Sequence, residues 1–130
     1  MIYLFDTNSI IKIMNGDARL IAKVAAHRIE DFGLSSIVAY ELYFGAFKGR
    51  HTSRILGFIG RLSFEIVDFQ VEDARAAGEV RASLAAAETP IGPYDTLIAG
   101  QALARDLILI THNTREFSRV SGLRVEDWEV

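Results

Sequence analysis

The sequence predicts an α/β fold with a central, mainly parallel sheet flanked by helices. Short apolar runs alternate with longer segments of helical character, as expected when helices connect parallel strands. Two of these runs, at 2–5 (IYLF) and 107–110 (LILI), are continuously hydrophobic, which is typical of central strands buried on both faces. The chain has 130 residues, half of them hydrophobic, and two prolines. We therefore expect one domain over 1–130 with a single core.

Each predicted strand is a short apolar run that ends at polar or turn-forming residues. In chain order, the predicted strands are residues 2–5, 33–36, 64–67, 107–111 and, at the edge of the sheet, 123–125. Helical spacing of apolar residues and capping residues define the predicted helices. These are residues 10–16, 17–27, 37–47, 51–62, 71–88 and 94–106, with a short helix or loop at 112–117. The candidate caps of the first three helices are Asp6, Thr7 or Asn8, then Asp17, and then Ser35 or Ser36. Pro93 suits the first turn of a helix, where its missing N–H costs nothing.

The composition excludes several classes of protein. There is no cysteine, which rules out disulfides, cysteine-bound zinc and thiol nucleophiles and suits a reducing cytoplasm. The opening MIYLFDTNSI lacks the basic region of a signal peptide, and no run of about 18 apolar residues occurs that could span a membrane. We therefore expect a cytoplasmic protein without a membrane segment. The net charge of -3 argues weakly against nucleic-acid binding, although a carboxylate site for cations would itself contribute negative charge.

Three carboxylates occupy positions where an α/β fold can build a site. Asp6 directly follows the first strand, at the sheet edge where open α/β folds bind ligands; alternatively, it caps the next helix. Glu41 lies in an otherwise apolar helix and faces either a pocket or solvent, since burying it unpaired is costly. Asp95 lies in the first turn of a nearly uncharged helix that is expected to be buried, a position that the helix dipole alone also favours.

Two further polar residues lie at the end of the predicted strand 107–111: Thr111 is its last residue, and Asn113 follows it as Asp6 follows the first strand. Asn113 is either a site residue or a turn residue, and the Thr111 hydroxyl can orient a neighbouring carboxylate. Oxygen ligands without His or Cys suit hard cations such as Mg²⁺ or Mn²⁺. Such a cation relieves the repulsion that raises the pKa values of clustered carboxylates. It also activates water, so the chemistry expected of this cluster is phosphodiester hydrolysis.

Four segments together suggest a family: MIYLFDTNSII, LSSIVAYELYFGA, the Ala-rich helix at 71–88, and PIGPYDTLIAGQALARDLILITHNTREFSRVSGLRVEDW. They resemble segments of PIN-domain ribonucleases and, among them, of the VapC-type toxins of bacterial toxin–antitoxin pairs. Because they occur in order over nearly the whole chain, the resemblance is specific. It implies a Rossmann-like PIN domain and an endoribonuclease that depends on Mg²⁺ or Mn²⁺ and cuts structured RNA such as tRNA. It also implies a homodimer and a separately encoded VapB-type antitoxin that inhibits the site.

The resemblance assigns roles to individual residues. It places the metal ligands of the family at Asp6, Glu41 and Asp95, which are also expected to be catalytic. The fourth catalytic position falls on Asn113, where the commonest pattern has Asp. An amide carbonyl can still hold a metal or its water, but a second metal should bind more weakly without the charge. Glu116, three residues on, is expected to face solvent. Supporting roles fall on Thr7, Ser9 and Thr111.

Basic and aromatic residues offer contacts to RNA or to an antitoxin. The basic residues form two groups, Lys48, Arg50, Arg54 and Arg61, and then Arg115, Arg119 and Arg124. The first group is interleaved with Tyr43, Phe44 and Phe47. It either contacts phosphates and bases, with Lys48 and Arg50 as the main candidates, or belongs to a solvated helix face. Arg115 is the stronger candidate, because it lies near Asn113. Four aromatic residues recur at helical spacing, Tyr40, Tyr43, Phe44 and Phe47. Such a stripe usually packs in the core, and the alternative is that part of it forms an interface.

Three functions compete for this sequence. The preferred one is a toxin endoribonuclease. The second is a PIN-fold module that binds RNA or an antitoxin with weak or no nuclease activity, because of the departure at Asn113. The third is a receiver-like phospho-acceptor at Asp6, but LILITHN offers no Lys after the late strand. No GxSxG, P-loop, GxGxxG or HExxH motif occurs, so serine hydrolases, nucleotide-binding enzymes and zinc proteases lack support.

Overall fold

The computed structural model describes residues 1–130 and contains five strands and seven α-helices. The strands are β1 (Tyr3–Phe5), β2 (Phe32–Ser35), β3 (Glu65–Val67), β4 (Ile108–Ile110) and β5 (Val125–Glu126). The helices are α1 (Thr7–Met14), α2 (Ala18–Ala25), α3 (Ser36–Lys48), α4 (Thr52–Arg61), α5 (Val71–Ala86), α6 (Pro93–Ala104) and α7 (Thr114–Phe117). Strands and helices therefore alternate along most of the chain, which confirms the predicted α/β class.

The strands form one sheet in the order β3-β2-β1-β4-β5, and every neighbouring pair is parallel. Tyr3 of the central strand β1 lies opposite Phe32 of β2 and Ile108 of β4. The two continuously hydrophobic runs thus occupy the middle of the sheet, as predicted. Because all strands run in the same direction, their carboxyl ends lie along one edge, and this edge receives Asp6 after β1 and Thr111 after β4.

The core is one cluster of 21 buried hydrophobic residues. It draws on β1 to β4 and on every helix except α4, whose Phe58 and Ile59 pack against it. The C-terminal segment joins this core through Trp128. The Trp128 ring stacks on His27 with centroids 4.9 Å apart and meets Tyr3 edge-on at 4.9 Å, a geometry that aromatic pairs favour. This packing ties the end of the chain to its first strand.

Helices α5 and α6 approach each other closely at Gly100. A Cβ atom at this position would lie 2.4 Å from the Cα of Ala77 on α5, so only glycine fits. A buried polar network lies in the same region. Arg105 donates to both carboxylate oxygens of Asp73 at 3.2 and 2.9 Å, and the Gln101 amide donates to the Val67 carbonyl at 3.2 Å. These contacts tie α6 to α5 and to the end of β3.

All predicted elements are present, with small shifts at their ends. Helix α1 begins at Thr7 rather than at residue 10, because Asp6 caps it by accepting a hydrogen bond from Ser9 N. The last strand is Val125–Glu126 rather than 123–125, since the Leu123 N–H bonds the Val120 carbonyl in a turn. None of the helices combines the length and the apolar character that crossing a bilayer requires.

Candidate active site

A cavity of about 410 Å³ opens at the carboxyl edge of the sheet. Its lining comprises Asp6, Thr7, Asn8, Ile11, Glu41, Phe44, Gly45, Lys48, Asp95 and Asn113. A larger groove of about 690 Å³ lies between α5 and the start of α6, but Arg81 is its only charged lining residue. Of these two cavities, only the smaller is lined by carboxylates, and it lies where ligands bind in open α/β sheets.

Asp6 is both a helix cap and a wall of this cavity. Its side chain is 4% exposed. One carboxylate oxygen accepts from the Ser9 N–H at 2.9 Å, and the other accepts from the Thr111 hydroxyl at 2.5 Å. The two alternatives for Asp6 are thus compatible: capping fixes the carboxylate, and Thr111, from the end of β4, orients it.

Glu41 reaches the cavity from the middle of α3. Ser35 caps this helix by accepting from the Ile37 N–H at 3.1 Å, and buried Val38 and Leu42 hold it against the sheet. The Glu41 carboxylate is half-buried and accepts from the Thr7 hydroxyl at 2.6 Å. The pocket alternative is correct for Glu41, and Thr7 acts on it as Thr111 acts on Asp6.

Asp95 enters from the first turn of α6, two residues after Pro93 at the first helical position. Six residues from Thr96 to Ala102 are buried in this helix, as its lack of charge predicted. Burial raises the pKa of Asp95 to about 6, and the charges of Asp6, Glu41 and Glu116 add to the increase. Asp6 and Glu41 therefore lie close enough to Asp95 to disfavour its charged form.

Glu116 does not face solvent, contrary to the sequence-based expectation. It is half-buried, and its carboxylate accepts from the Asn113 amide at 3.0 Å. Asn113 itself lies in the cavity, and its backbone N–H donates to the Thr111 hydroxyl at 3.0 Å. The expectation was wrong because α7 is a single turn that begins at Thr114, so Glu116 turns back toward Asn113. A carboxylate therefore accompanies the amide at the fourth corner of the site.

The other predicted residues divide into two sets. Lys48 lines the cavity, whereas Arg50 and Arg115 are exposed and lie outside its lining. Ser9 is buried behind Asp6, where its hydroxyl donates to the Ile110 carbonyl at 3.4 Å. Phe44 was predicted as a possible RNA contact but not as part of the cavity that the carboxylates line. Its place three residues after Glu41, on the same helix face, is the pattern that could have revealed it.

The aromatic stripe on α3 is exposed rather than buried in the core. Phe44 and Phe47 are 58% and 68% exposed, and Tyr40 is 52% exposed. The core side of α3 instead carries smaller residues, Val38, Leu42 and Ala46. The common core interpretation was wrong because an apolar residue's spacing on a helix does not say which face meets the sheet.

A second group of possible metal ligands lies near the C-terminus. The ligand atoms of His112, Asp127 and Glu129 lie within 4.8 Å of one another, a spacing that the site carboxylates do not reach. The two carboxylates of this group already have partners: Asp127 is hydrogen-bonded to His112 at 2.9 Å, and Glu129 forms an ion pair with Lys12. By contrast, Asp6, Glu41 and Asp95 have only one lysine, Lys48, in their cavity lining. This excess of negative oxygen atoms fits a hard divalent cation.

Comparison with known proteins identifies the family. The family model of the PIN domain matches residues 3–123. The chain belongs to the PIN-domain family.

Curated relatives place this PIN-domain chain in the VapC group. It is 38% identical over 130 residues to the tRNA(fMet)-specific endonuclease VapC of Salmonella typhimurium, with 97% of each chain covered. It is 44% identical over 99 residues to the protein of the same name from Shigella flexneri, with 73% of this chain and 74% of the relative covered. Ribonuclease VapC2 of Haemophilus influenzae is 35% identical, with 97% of each chain covered.

Solved structures agree on the PIN fold. The crystal structure of DNA-bound VapBC from Salmonella typhimurium matches with a TM-score of 0.91 and 37% identity over 98% of each chain. The crystal structure of VapBC2 from Rickettsia felis, bound to a DNA fragment from its own promoter, also gives a TM-score of 0.91. The identity is 30%, and the match covers 98% of this chain and 99% of the Rickettsia chain. The expected family and fold are thus confirmed.

Proposed function

We propose that the chain is the toxin of a toxin–antitoxin pair and an endoribonuclease that hydrolyses RNA phosphodiester bonds at this cavity. The observation that carries the proposal is the convergence of Asp6, Glu41 and Asp95 on one cavity, with the pKa of Asp95 raised to about 6 by burial and by the neighbouring carboxylates. Its VapC relatives are named endonuclease or ribonuclease.

Asp6, Glu41 and Asp95 would hold Mg²⁺ or Mn²⁺, and Asn113 would support the ion through its amide carbonyl. When bound, such a cation supplies a Lewis acid for the phosphate and lowers the pKa of water. The chain's own contribution is positioning. Thr111 and Thr7 donate to the carboxylates of the first two residues and fix their orientation. Each carboxylate therefore presents its remaining lone pairs to the cavity.

Glu116 favours the enzyme over the binding-module alternative. A PIN domain with an amide at the fourth corner would lack one charge, but Glu116 lies 3.0 Å from that amide. It also contributes to the raised pKa of Asp95. We therefore infer that Glu116 restores negative charge at the fourth corner, so that Asn113 need not abolish catalysis.

The substrate and partners follow from the same proposal. Two relatives are named tRNA(fMet)-specific endonucleases, so we propose a structured RNA such as tRNA as substrate. Lys48, Arg50 and Arg115 are candidate contacts to RNA phosphates or to the antitoxin.

The related solved structures are VapBC assemblies, so we propose a VapB-type antitoxin that inhibits the site, a homodimer and a cytoplasmic location. We also propose that 1–130 act as one domain, because one core joins β1 to Trp128.

Cleavage of total RNA tests the proposal with a matched pair of variants. Asp6→Ala and Asp17→Ala each remove an N-cap that accepts from a backbone N–H at 2.9 or 3.0 Å, which costs about 1 kcal/mol of stability. Asp6→Ala also removes the acceptor of the buried Thr111 hydroxyl, so it should lose more stability than Asp17→Ala. Only Asp6 lines the cavity. We expect defined RNA fragments with wild type and Asp17→Ala in Mg²⁺ or Mn²⁺, and none with Asp6→Ala or with EDTA. Equal cleavage by all three proteins would reveal a contaminating nuclease and contradict the assignment.

A further inference from the structure

One face of α3 presents an aromatic ring and a cation to the cavity beside its carboxylate. Glu41, Phe44, Gly45 and Lys48 all line the cavity. Separations of three, four and seven residues place them along one side of the helix. Lys48 lies seven residues after Glu41, which is about 10 Å further along the helix axis. The wall of the cavity thus runs from carboxylate to ring to cation.

Phe44 is held in an unusual environment for an apolar ring. It is 58% exposed, whereas phenylalanine is usually buried. The ammonium group of Lys48 lies over this ring, with Nζ 5.1 Å from the ring centroid. A cation–π contact at an exposed site is weak, and the stack of a nucleobase on an aromatic ring is stronger. A base can therefore displace the ammonium group from the ring, which frees Lys48 for a phosphate.

We propose that Phe44 and Lys48 form a subsite for the nucleotide beside the scissile phosphate, in which the base stacks on Phe44 and Lys48 contacts the next phosphate. The inference rests on the proposed ribonuclease function and deepens it. A base stacked on a protein ring has left its own helical stack, so this subsite takes an unpaired nucleotide. Phe44 and Lys48 are continuous with the carboxylate cavity, and the ring is paired with a cation; both features favour RNA over a protein partner.

The test compares two identical substitutions on one helix. Phe44→Leu and Phe47→Leu both remove an exposed ring, but Phe47 does not line the cavity and stacks on Tyr43 instead. The probe is a short, fluorophore-labelled RNA hairpin with an unpaired loop of mixed sequence. We expect KM to rise on the order of tenfold for Phe44→Leu with little change in kcat. Phe47→Leu should have the KM of wild type. Phe44→Trp, which keeps an aromatic ring, should also have a KM near that of wild type.

A second arm separates stacking from a structural role. The same RNA is made with an abasic ribose at each nucleotide flanking the mapped cleavage site. One abasic position should weaken binding to wild type but not to Phe44→Leu, since the ring and the base act together. For Lys48→Met, the slope of log affinity against log salt should decrease by about one, as expected for the loss of one phosphate contact.

The outcomes separate this inference from the function beneath it. If wild type cleaves no RNA, the ribonuclease proposal fails and the subsite fails with it. If wild type cleaves and Phe44→Leu behaves like Phe47→Leu, only the subsite is overturned. Loss of antitoxin binding or of a dimer in Phe44→Leu, with KM for RNA unchanged, would make this face a protein interface and also overturn it.

Discussion

Asp6 and Asp17 have the same local geometry. Each follows a turn or strand, caps a helix, and accepts from the backbone N–H three residues on. At the scale of single residues, therefore, a cap and a site residue cannot be told apart by neighbours in sequence. What separates them is a distant partner: Asp6 also accepts from Thr111, which lies 105 positions away in the chain. The role of a carboxylate is fixed by the element that the fold brings beside it.

The charged Asp95 carboxylate should destabilise the folded protein when no cation is bound. Its pKa is raised to about 6 in the folded protein, so the folded state binds the proton more tightly than the unfolded chain does. The stabilising contribution of the protonated Asp95 carboxyl is fully present below the pKa that Asp95 has in the unfolded chain, near 4. It is lost as the pH rises through about 6. Asp95→Asn should therefore gain about 1 kcal/mol at pH 8, allowing for partial solvent screening, and much less at pH 4.5.

Urea unfolding in EDTA at the two pH values measures this effect. The same variant should lose RNA cleavage, because the amide cannot replace the charge of a metal ligand. A gain of equal size at both pH values would show that the pKa of Asp95 is not the cause. A loss of stability at pH 8 would contradict the repulsion between the carboxylates.

Asn113→Asp should strengthen cation binding and weaken the metal-free protein. The new carboxylate adds a charged oxygen ligand to the cavity. It also removes the amide donor that lies 3.0 Å from Glu116 and places two carboxylates side by side, at a cost of about 1 kcal/mol. Calorimetric titration with Mn²⁺ should show several-fold tighter binding, and melting in EDTA should show lower stability. Asn15→Asp, outside the cavity, controls for added charge; unchanged Mn²⁺ affinity in Asn113→Asp would refute the idea.

At the scale of elements, α6 carries the site only because it packs closely on α5. Gly100 allows this approach, since a Cβ atom would overlap the backbone of Ala77 at 2.4 Å. Gly78 on α5 is also helical, but a Cβ atom there would meet nothing within 4 Å. Gly100→Ala should therefore destabilise by about 1–3 kcal/mol, whereas Gly78→Ala should stabilise by up to about 1 kcal/mol. Chemical denaturation measures both, and similar effects of the two substitutions would argue against the close packing.

The elements were largely predictable, because their signals are local. A cap such as Asp17, the proline at the start of α6, and the continuous apolar runs each act within a few residues. The orientation of elements was less predictable. The aromatic stripe on α3 suits a core, but smaller residues on the other face meet the sheet. The inward turn of Glu116 depends on a four-residue helix whose direction no periodicity can reveal.

At the scale of the whole molecule, the parallel sheet gathers residues that are far apart in the chain. Asp6, Glu41 and Asp95 come from three segments: Asp6 follows β1, Glu41 lies in the middle of α3, and Asp95 lies in the first turn of α6. Position after a strand or at a helix start predicted this edge, and the family resemblance selected which carboxylates matter. Neither could supply the distances or the hydrogen bonds from Thr7 and Thr111, because these depend on how helices and strands pack.

The most direct test of the central claim is a calorimetric titration of Mn²⁺ at pH 7.5, since the molecule offers two candidate groups of ligands. One is the carboxylate cavity, and the other is the compensated group at His112, Asp127 and Glu129. Glu41→Gln should abolish or strongly weaken Mn²⁺ binding, whereas His112→Ala should leave it as in wild type. Intact binding in Glu41→Gln together with loss in His112→Ala would place the cation at the other group and contradict a carboxylate active site.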